Sequence, residues 1–111
     1  MTRRHPTNRD ANHAELTARY ESWGCSVQDT SMVGGGFPDA VVGINTPAGR
    51  VNELVEFKNT EGRNRDEKSQ LEFDETWRGR PRVIVHTIWE VDAHVVAIQK
   101  KPRTPVNGEP G

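Results

Sequence analysis

Apolar residues recur along the chain with two different spacings, and together these predict seven elements of secondary structure. Recurrence every three or four residues predicts helices over residues 10–23, 66–78 and 91–99. In the first helix, Leu16, Tyr20 and Trp23 share one face, and a glycine follows as a C-terminal stop. The third segment contains "HVVAI", which would also serve as a strand. We favour the helix, because Val91, Val95 and Ile98 recur every three or four residues.

Short apolar runs between turn residues predict strands over residues 26–28, 39–44, 51–58 and 82–86. The last run, "RVIVH", has the β-branched content of a buried strand. Between the first two strands, "VGGGFP" breaks all periodicity, because glycine permits positive φ and proline favours extended geometry in the residue before it. The order helix, strand, strand, strand, helix, strand, helix predicts an α/β fold, with a central mixed sheet flanked by helices.

The length and composition are those of one small domain. The chain has 111 residues, of which 32% are hydrophobic and 28% charged, so the core must be compact. We expect the domain to cover residues 10–100, after a flexible basic N-terminus at 1–9 and before a disordered tail at 101–111. The tail is rich in proline and glycine.

Charge and cysteine content limit the classes of function. The net charge is −1, which argues against a protein that coats nucleic acid through bulk charge, although local basic clusters are present. The single cysteine, Cys25, excludes an internal disulfide and favours a reducing compartment. No apolar run approaches the ~20 residues that cross a bilayer, so we expect a soluble, cytoplasmic protein.

Two acidic residues occupy strand positions among core residues. A hairpin centred on Pro47 and Ala48 would place Asp39 directly opposite Glu56. At about 5 Å and an effective dielectric of about 20, two such carboxylates repel each other by roughly 3 kcal/mol. Either a shared proton or a divalent cation would relieve this repulsion, and a cation would turn it into a binding site.

Two further polar residues fit a site around these acids. Alternation along the strand puts Lys58 on the same face as Glu56, where an ammonium group can orient water or neutralise negative charge developing at phosphorus. In the second predicted helix, Gln70 lies on the same stripe as Phe73 and Trp77. It is either a satisfied boundary residue or a residue that reaches Glu56, Lys58 or a bound phosphate.

Taken together, "FPD" at 37–39, "ELVEFK" at 53–58 and a following helix with Gln70 resemble the PD-(D/E)xK nuclease superfamily. Within it, the sequence is most similar to stand-alone virus-type replication-repair nuclease (VRR-NUC) domains and related phage resolvase-like nucleases. The resemblance covers about residues 10–90 and includes "DANHAEL", "WRG" and "VIVH". One departure is Phe37, which stands where a glycine often precedes Pro-Asp.

The resemblance implies a restriction-endonuclease-like fold and a Mg²⁺- or Mn²⁺-dependent endodeoxyribonuclease. The implied metal-binding residues are Asp39, Glu56 and Phe57. The implied catalytic residues are Asp39, Glu56, Lys58, Gln70 and Glu15. Glu15 could equally form an exposed i, i+4 pair with Arg19.

The resemblance also favours branched DNA such as Holliday junctions, which a two-fold homodimer would cut in pairs, with flap cleavage or nicking as alternatives. The rival class is a non-catalytic DNA-binding or assembly subunit that keeps the nuclease fold.

Basic and aromatic residues complete the expectations. The candidates for contact with DNA phosphates are Arg63, Arg65, Lys68, Arg78, Arg80 and Arg82. Each of them, taken singly, could equally be part of a solvated basic surface. The large aromatic residues Trp23, Phe73, Trp77 and Trp89 are assigned to the core, and Cys25 is expected to be a small buried hydrophobic residue.

Overall fold

The structure is a computed structural model that describes residues 8–59 and 68–100, with side chains from residue 11 onward. Its elements are α1 (Asn8–Ser22), β1 (Ser26–Asp29), β2 (Ala40–Thr46), β3 (Gly49–Phe57), α2 (Lys68–Thr76), β4 (Val83–Val85) and α3 (Ile88–Lys100). This order confirms the predicted one, and the third helix is a helix rather than a strand. The boundaries differ from the predicted ones by a few residues at most. The predicted tail lies outside the described residues, whereas α1 already begins within the predicted flexible N-terminus.

The four strands form one mixed sheet in the order β1-β2-β3-β4. The first three strands are antiparallel neighbours, and β4 is parallel to β3. Thr46 pairs with Gly49 across a loop of Pro47 and Ala48, and Ala40 pairs with Val55, so the predicted hairpin register is confirmed. Gly49 has a φ of 129°, which side-chain-bearing residues rarely adopt, and it lets the short loop close.

Helices α1 and α3 pack on one face of the sheet and form the core with it. Leu16 and Tyr20 from α1, together with Val91 and Val95 from α3, are fully buried. The strands contribute Val42, Ile44, Val55, Phe57 and Val85 to the same cluster. Cys25 is buried beside them, as expected. None of the helices in the described parts of the chain is long and apolar enough to span a bilayer.

A buried polar network crosses this core. Glu53 is 2% exposed, and it accepts a hydrogen bond from Arg80 Nε at 2.7 Å. His94 Nε2 lies 3.0 Å from Glu53 Oε1, while His94 Nδ1 lies 2.7 Å from the Tyr20 hydroxyl. Burial disfavours the charge of Glu53, but the hydrogen bonds from His94 and Arg80 outweigh it and lower the pKa of this carboxyl. The network therefore satisfies a carboxylate that would otherwise be costly to bury.

Helix α2 contacts Glu56, whose neighbours Val55 and Phe57 face the core, so strand alternation puts α2 on the opposite face of the sheet. None of its residues, all of which the structure describes, is buried. Its apolar contact is an aromatic cluster in which Phe37 meets Phe73 edge-to-face at 5.5 Å and Phe73 stacks on Trp77 at 4.9 Å. At its N-terminal end, a side chain on Gly36 would collide with the backbone carbonyl of Ser69. The helix is thus attached by a few specific contacts.

The expectation that the large aromatic residues belong to the core was wrong for the tryptophans. Trp23, Trp77 and Trp89 are 39%, 42% and 69% exposed, and Phe73 is half-buried. Trp23 lies just after α1, where its indole N–H donates to Asp92 at 2.8 Å. The helical period locates a shared face correctly, but it does not tell whether another element covers that face.

Candidate active site

The two predicted acids meet at the end of the β2–β3 hairpin. Asp39 directly precedes β2, and continuing the observed register places it opposite Glu56 in β3. Both carboxylates are buried, at 6% and 5% exposure. The backbone N–H of Phe57 donates to Asp39 Oδ2 at 2.9 Å, which fixes one oxygen of this side chain against β3. The structure therefore has the arrangement of opposed acids that the hairpin predicts.

The electrostatics of the pair are unfavourable in the absence of a cation. Burial, followed by the negative charge of Asp39, raises the pKa of Glu56 to about 7. The hydrogen bond from Gln70 and the charges of Lys58 and Arg82 act in the opposite direction, but only partly offset the increase. Carboxyl groups whose pKa is raised into the neutral range by burial and a like charge cluster at functional sites.

Gln70 contacts the acid pair directly. Its side-chain N–H donates to Glu56 Oε2 at 2.5 Å, so α2 holds one oxygen of this carboxylate. Of the two interpretations that the sequence left open, the structure has the residue reaching Glu56. Its amide thus lies at the site although it belongs to the apolar stripe of α2.

Lys58 follows β3 and is fixed through its backbone on both sides. Its N–H donates to Val85 O at 2.9 Å, and its carbonyl accepts a hydrogen bond from Asn12 Nδ2 at 2.8 Å. The residue is only 8% exposed, and its charge lowers the pKa of Glu56, which places the ammonium group within electrostatic reach of that carboxyl. The Glu-x-Lys pattern is thereby held in a defined position at the end of the sheet.

The residues of α1 that face the site are Asn12 and His13. His13 Nε2 lies 3.7 Å from Asp39 Oδ2, and its ring meets Phe57 edge-on at 4.9 Å. Glu15 is exposed and lies one helical turn (i, i+3) from Asn12, and its place in the site stays a prediction. Sequence reasoning missed Asn12 and His13, although they precede the buried Leu16 by four and three residues and so share its face.

Arg19 does not form the pair with Glu15 that the sequence left open. It makes a bidentate ion pair with Asp92 of α3, with Nε–Oδ1 and Nη2–Oδ2 both at 2.7 Å. This contact fixes α1 to α3 on the core side of the sheet. The exposed Glu15 is therefore not paired with Arg19, and its role at the site stays a prediction.

A cavity of about 390 Å³ adjoins Asp39 between α1 and the first two strands. Its lining includes His13, Thr17, Asp29 and Asp39, so its walls carry several hydrogen-bonding groups. Asp39 therefore borders a space into which a ligand can extend.

The six candidate phosphate contacts differ in their environments. Arg63 and Arg65 lie outside the described residues. Lys68 and Arg78 are exposed, whereas Arg80 binds the buried Glu53. The Arg82 side chain is only 3% exposed and makes hydrogen bonds of 2.8 and 3.0 Å to the two oxygens of Asp74. The charges of Arg80 and Arg82 are therefore already engaged in hydrogen-bonded ion pairs within the domain.

The acid pair fits a divalent cation that retains several waters. Glu56 Oε1 is buried and has no hydrogen-bond partner among the described residues, so one oxygen is available as a ligand. Within residues 8–59 and 68–100, no three His, Cys, Asp or Glu side chains are grouped to hold an ion by themselves. Two carboxylates with waters or main-chain oxygens, as predicted at Phe57, match the coordination of Mg²⁺ rather than that of Zn²⁺.

Comparison with known proteins gives one informative similarity. No protein-family profile and no curated protein matches the sequence. A solved structure titled "VRR_NUC domain" is similar to the chain with a TM-score of 0.59 and 26% sequence identity. The match covers 81% of this chain and 96% of that chain, so it includes nearly the whole of the solved domain.

Proposed function

We propose that this chain, which belongs to the VRR-NUC family of nuclease domains, is a Mg²⁺- or Mn²⁺-dependent endodeoxyribonuclease. The family makes it a DNA-processing domain of the nuclease type, and Pro38, Asp39, Glu56 and Lys58 are consistent with the PD-(D/E)xK superfamily. The observation that supports the metal-dependent reaction is the buried pair Asp39 and Glu56, with one Glu56 oxygen left without a hydrogen-bond partner among the described residues.

Each residue of the site has a role in this proposal. Asp39 and Glu56 hold the cation, which when bound would polarise the phosphate and make water more acidic. Lys58 orients the attacking water and neutralises negative charge that develops at phosphorus. Gln70 keeps Glu56 in position, and Asn12 keeps the backbone of Lys58 in position. Glu15, exposed on α1 one turn from Asn12, remains a predicted additional ligand of the metal or the water.

The substrate in this proposal is branched DNA of the Holliday-junction kind, cut by a homodimer. Two-fold symmetric branches present two equivalent phosphodiesters, and a two-fold dimer presents two equivalent sites to them. Cleavage of junction, flap, single-stranded and duplex DNA should be compared alongside the molecular mass in solution. If the protein is monomeric at working concentration and cleaves flaps faster than junctions, flap cleavage becomes the proposed activity in place of junction resolution.

The central experiment measures DNA cleavage in Mg²⁺ and Mn²⁺ by wild type, Glu56→Gln and Lys58→Ala. We expect both variants to lose activity by roughly 100-fold or more, because each removes a group that acts on the reacting phosphate. Glu75→Gln is the matched control, since Glu75 is an exposed carboxylate on α2, and it should cleave like wild type.

Circular dichroism would establish that the variants keep the fold. Equal activity in wild type and both variants would refute the site. DNA binding with no cleavage in either metal would favour the rival, a non-catalytic subunit that retains the fold.

A further inference from the structure

Trp77 is exposed yet rigidly held. Its indole stacks on Phe73 with centroids 4.9 Å apart and an interplanar angle of 21°, and it meets Phe37 edge-to-face at 6.1 Å. Gly79 lies against its edge, since a side chain there would begin 2.8 Å from the indole nitrogen. Phe73 stacks on one face of the ring, and 42% of the residue is exposed. Such a ring is preorganised for stacking.

The position of Trp77 relates it to the acid pair. Gln70, whose amide contacts Glu56, precedes Trp77 by seven residues along the same stripe, which corresponds to about 10 Å along a helix. Successive nucleotides of a stacked strand advance by about 3.4 Å. A strand cut beside Glu56 would therefore bring a base to Trp77 about three nucleotides from the scissile phosphate.

The charges around the ring suit a polyanion. Arg78 is exposed directly after Trp77, and Arg80 is half exposed while bound to Glu53. The carboxylate of Asp74, which is on the adjacent part of α2, is neutralised by Arg82. An aromatic face bordered by basic groups favours a nucleic acid over an acidic or purely apolar protein segment.

We propose that Trp77 is a stacking platform for an unpaired base of the DNA substrate, about three nucleotides from the cleaved bond. The inference rests on the proposed nuclease function and specifies its substrate class. A base inside continuous duplex is already stacked on both sides, so only an unpaired base can stack on Trp77 without disrupting the helix. The enzyme would thereby select flaps, forks, or junctions with unpaired bases at the branch point over intact duplex.

The test measures DNA affinity in EDTA, where no metal-dependent cleavage takes place. The probes are a fork with natural bases in the single-stranded arm, the same fork with abasic sites at the second to fourth unpaired positions, and a duplex. For wild type, we expect the abasic fork to bind roughly 5- to 100-fold more weakly than the natural fork. Trp77→Ala should bind the natural fork as weakly as wild type binds the abasic fork.

Further arms of the experiment separate stacking from other effects. Trp77→Ala should show no additional loss on the abasic fork, which is the non-additivity expected of two partners in one contact. Trp77→Phe should retain most of the affinity, because it keeps an aromatic face. Trp23→Ala is the matched control, since Trp23 is 39% exposed but lies on the core side of the sheet beside Asp92, and its DNA affinity should be unchanged.

Several outcomes would overturn the proposal. They are equal wild-type affinity for the natural and abasic forks, equal loss on all three probes in Trp77→Ala, and conversion of a wild-type dimer into monomers by Trp77→Ala. The last result would assign the ring to contact with a second copy. Because affinity is measured without cleavage, the nuclease assignment can fail through Glu56→Gln while the stacking result stands, and the reverse also holds.

Discussion

The two faces of the sheet differ in how their helices are attached. On one face, α1 and α3 contribute four fully buried side chains, and an ion pair between Arg19 and Asp92 joins the two helices. On the other face, α2, described in full, buries none of its own residues. It is held by the aromatic cluster, by the hydrogen bond from Gln70 to Glu56, and by an ion pair between Asp74 and the segment before β4.

The two faces contribute to different properties of the domain: one to its stability and the other to the geometry of the candidate site. Burial of apolar side chains is the main favourable contribution to folding, so the α1–α3 face should determine the free energy of unfolding. The α2 face carries the group that holds Glu56 and an exposed aromatic ring, so its contacts should determine the geometry of the site. Changes on the two faces should therefore affect different measurements.

The largest expected effect is loss of a core side chain. Leu16→Ala should lower the free energy of unfolding by about 3 to 4 kcal/mol, because Leu16 is fully buried and its removal leaves a cavity. Phe73→Ala, on the half-buried α2 stripe, should cost about 1 kcal/mol yet reduce cleavage more than Leu16→Ala does under folding conditions. Urea unfolding and cleavage assays would compare them, and equal stability losses would show that α2 is part of the core.

The next effect is a dependence of stability on pH that arises at the acid pair. Because the pKa of Glu56 is raised to about 7 in the folded protein, the unfolded state releases this proton at lower pH. Metal-free protein should therefore lose on the order of 3 kcal/mol of stability as the pH rises from about 5 to 8. In EDTA, this contribution should be absent from Glu56→Gln and unchanged in Glu75→Gln, and a Glu56→Gln variant that keeps it would contradict the assignment.

The opposed acids could be predicted from the sequence because the hairpin is local. The loop at Pro47 and Ala48 fixes the register, and the two-residue alternation of a strand then places Asp39 opposite Glu56. The alternation also separates Lys58 from Phe57. This part of the site therefore depends on residues within one short stretch of chain.

Other features depend on which elements meet, and the sequence pattern does not determine that. The exposure of Trp77 follows from how little of α2 the sheet covers. The engagement of Arg80 with Glu53 joins residues 27 positions apart. Asn12 and His13 share the face of Leu16, but only the packing of α1 near the end of β3 shows that this face reaches the acids.

A smaller effect on stability should come from the loop at Gly34–Gly36, where Gly36 closely approaches the start of α2. Gly36→Ala should cost about 2 kcal/mol and reduce cleavage, because Gly36 has a φ of 81° and its new methyl group would displace the backbone at Ser69. Gly35→Ala is the matched control, since it has a φ of 65° but open space around it. Gly35→Ala should lower the free energy of unfolding by less than Gly36→Ala does, with little change in cleavage. Equal losses in thermal unfolding would attribute the whole effect to backbone strain.

The smallest expected effect is at the ion pair that joins α2 to the segment before β4. Asp74→Asn should cost about 1 kcal/mol, because the amide still accepts one hydrogen bond from Arg82 but no longer balances its charge. Cleavage should fall a few-fold, since α2 would hold Gln70 less firmly on Glu56. Glu75→Gln, which removes an exposed carboxylate from the same helix, should leave both quantities unchanged.

The pH dependence of this variant distinguishes positioning from a direct electrostatic role. Arg82 lowers the pKa of Glu56, and Asp74→Asn leaves that positive charge in place. The midpoint of the pH–rate profile should therefore stay where it is in wild type while the maximal rate falls. A shifted midpoint would mean that Asp74 acts on the acid pair through its charge, and the contacts of α2 would then tune the chemistry rather than only hold the helix in position.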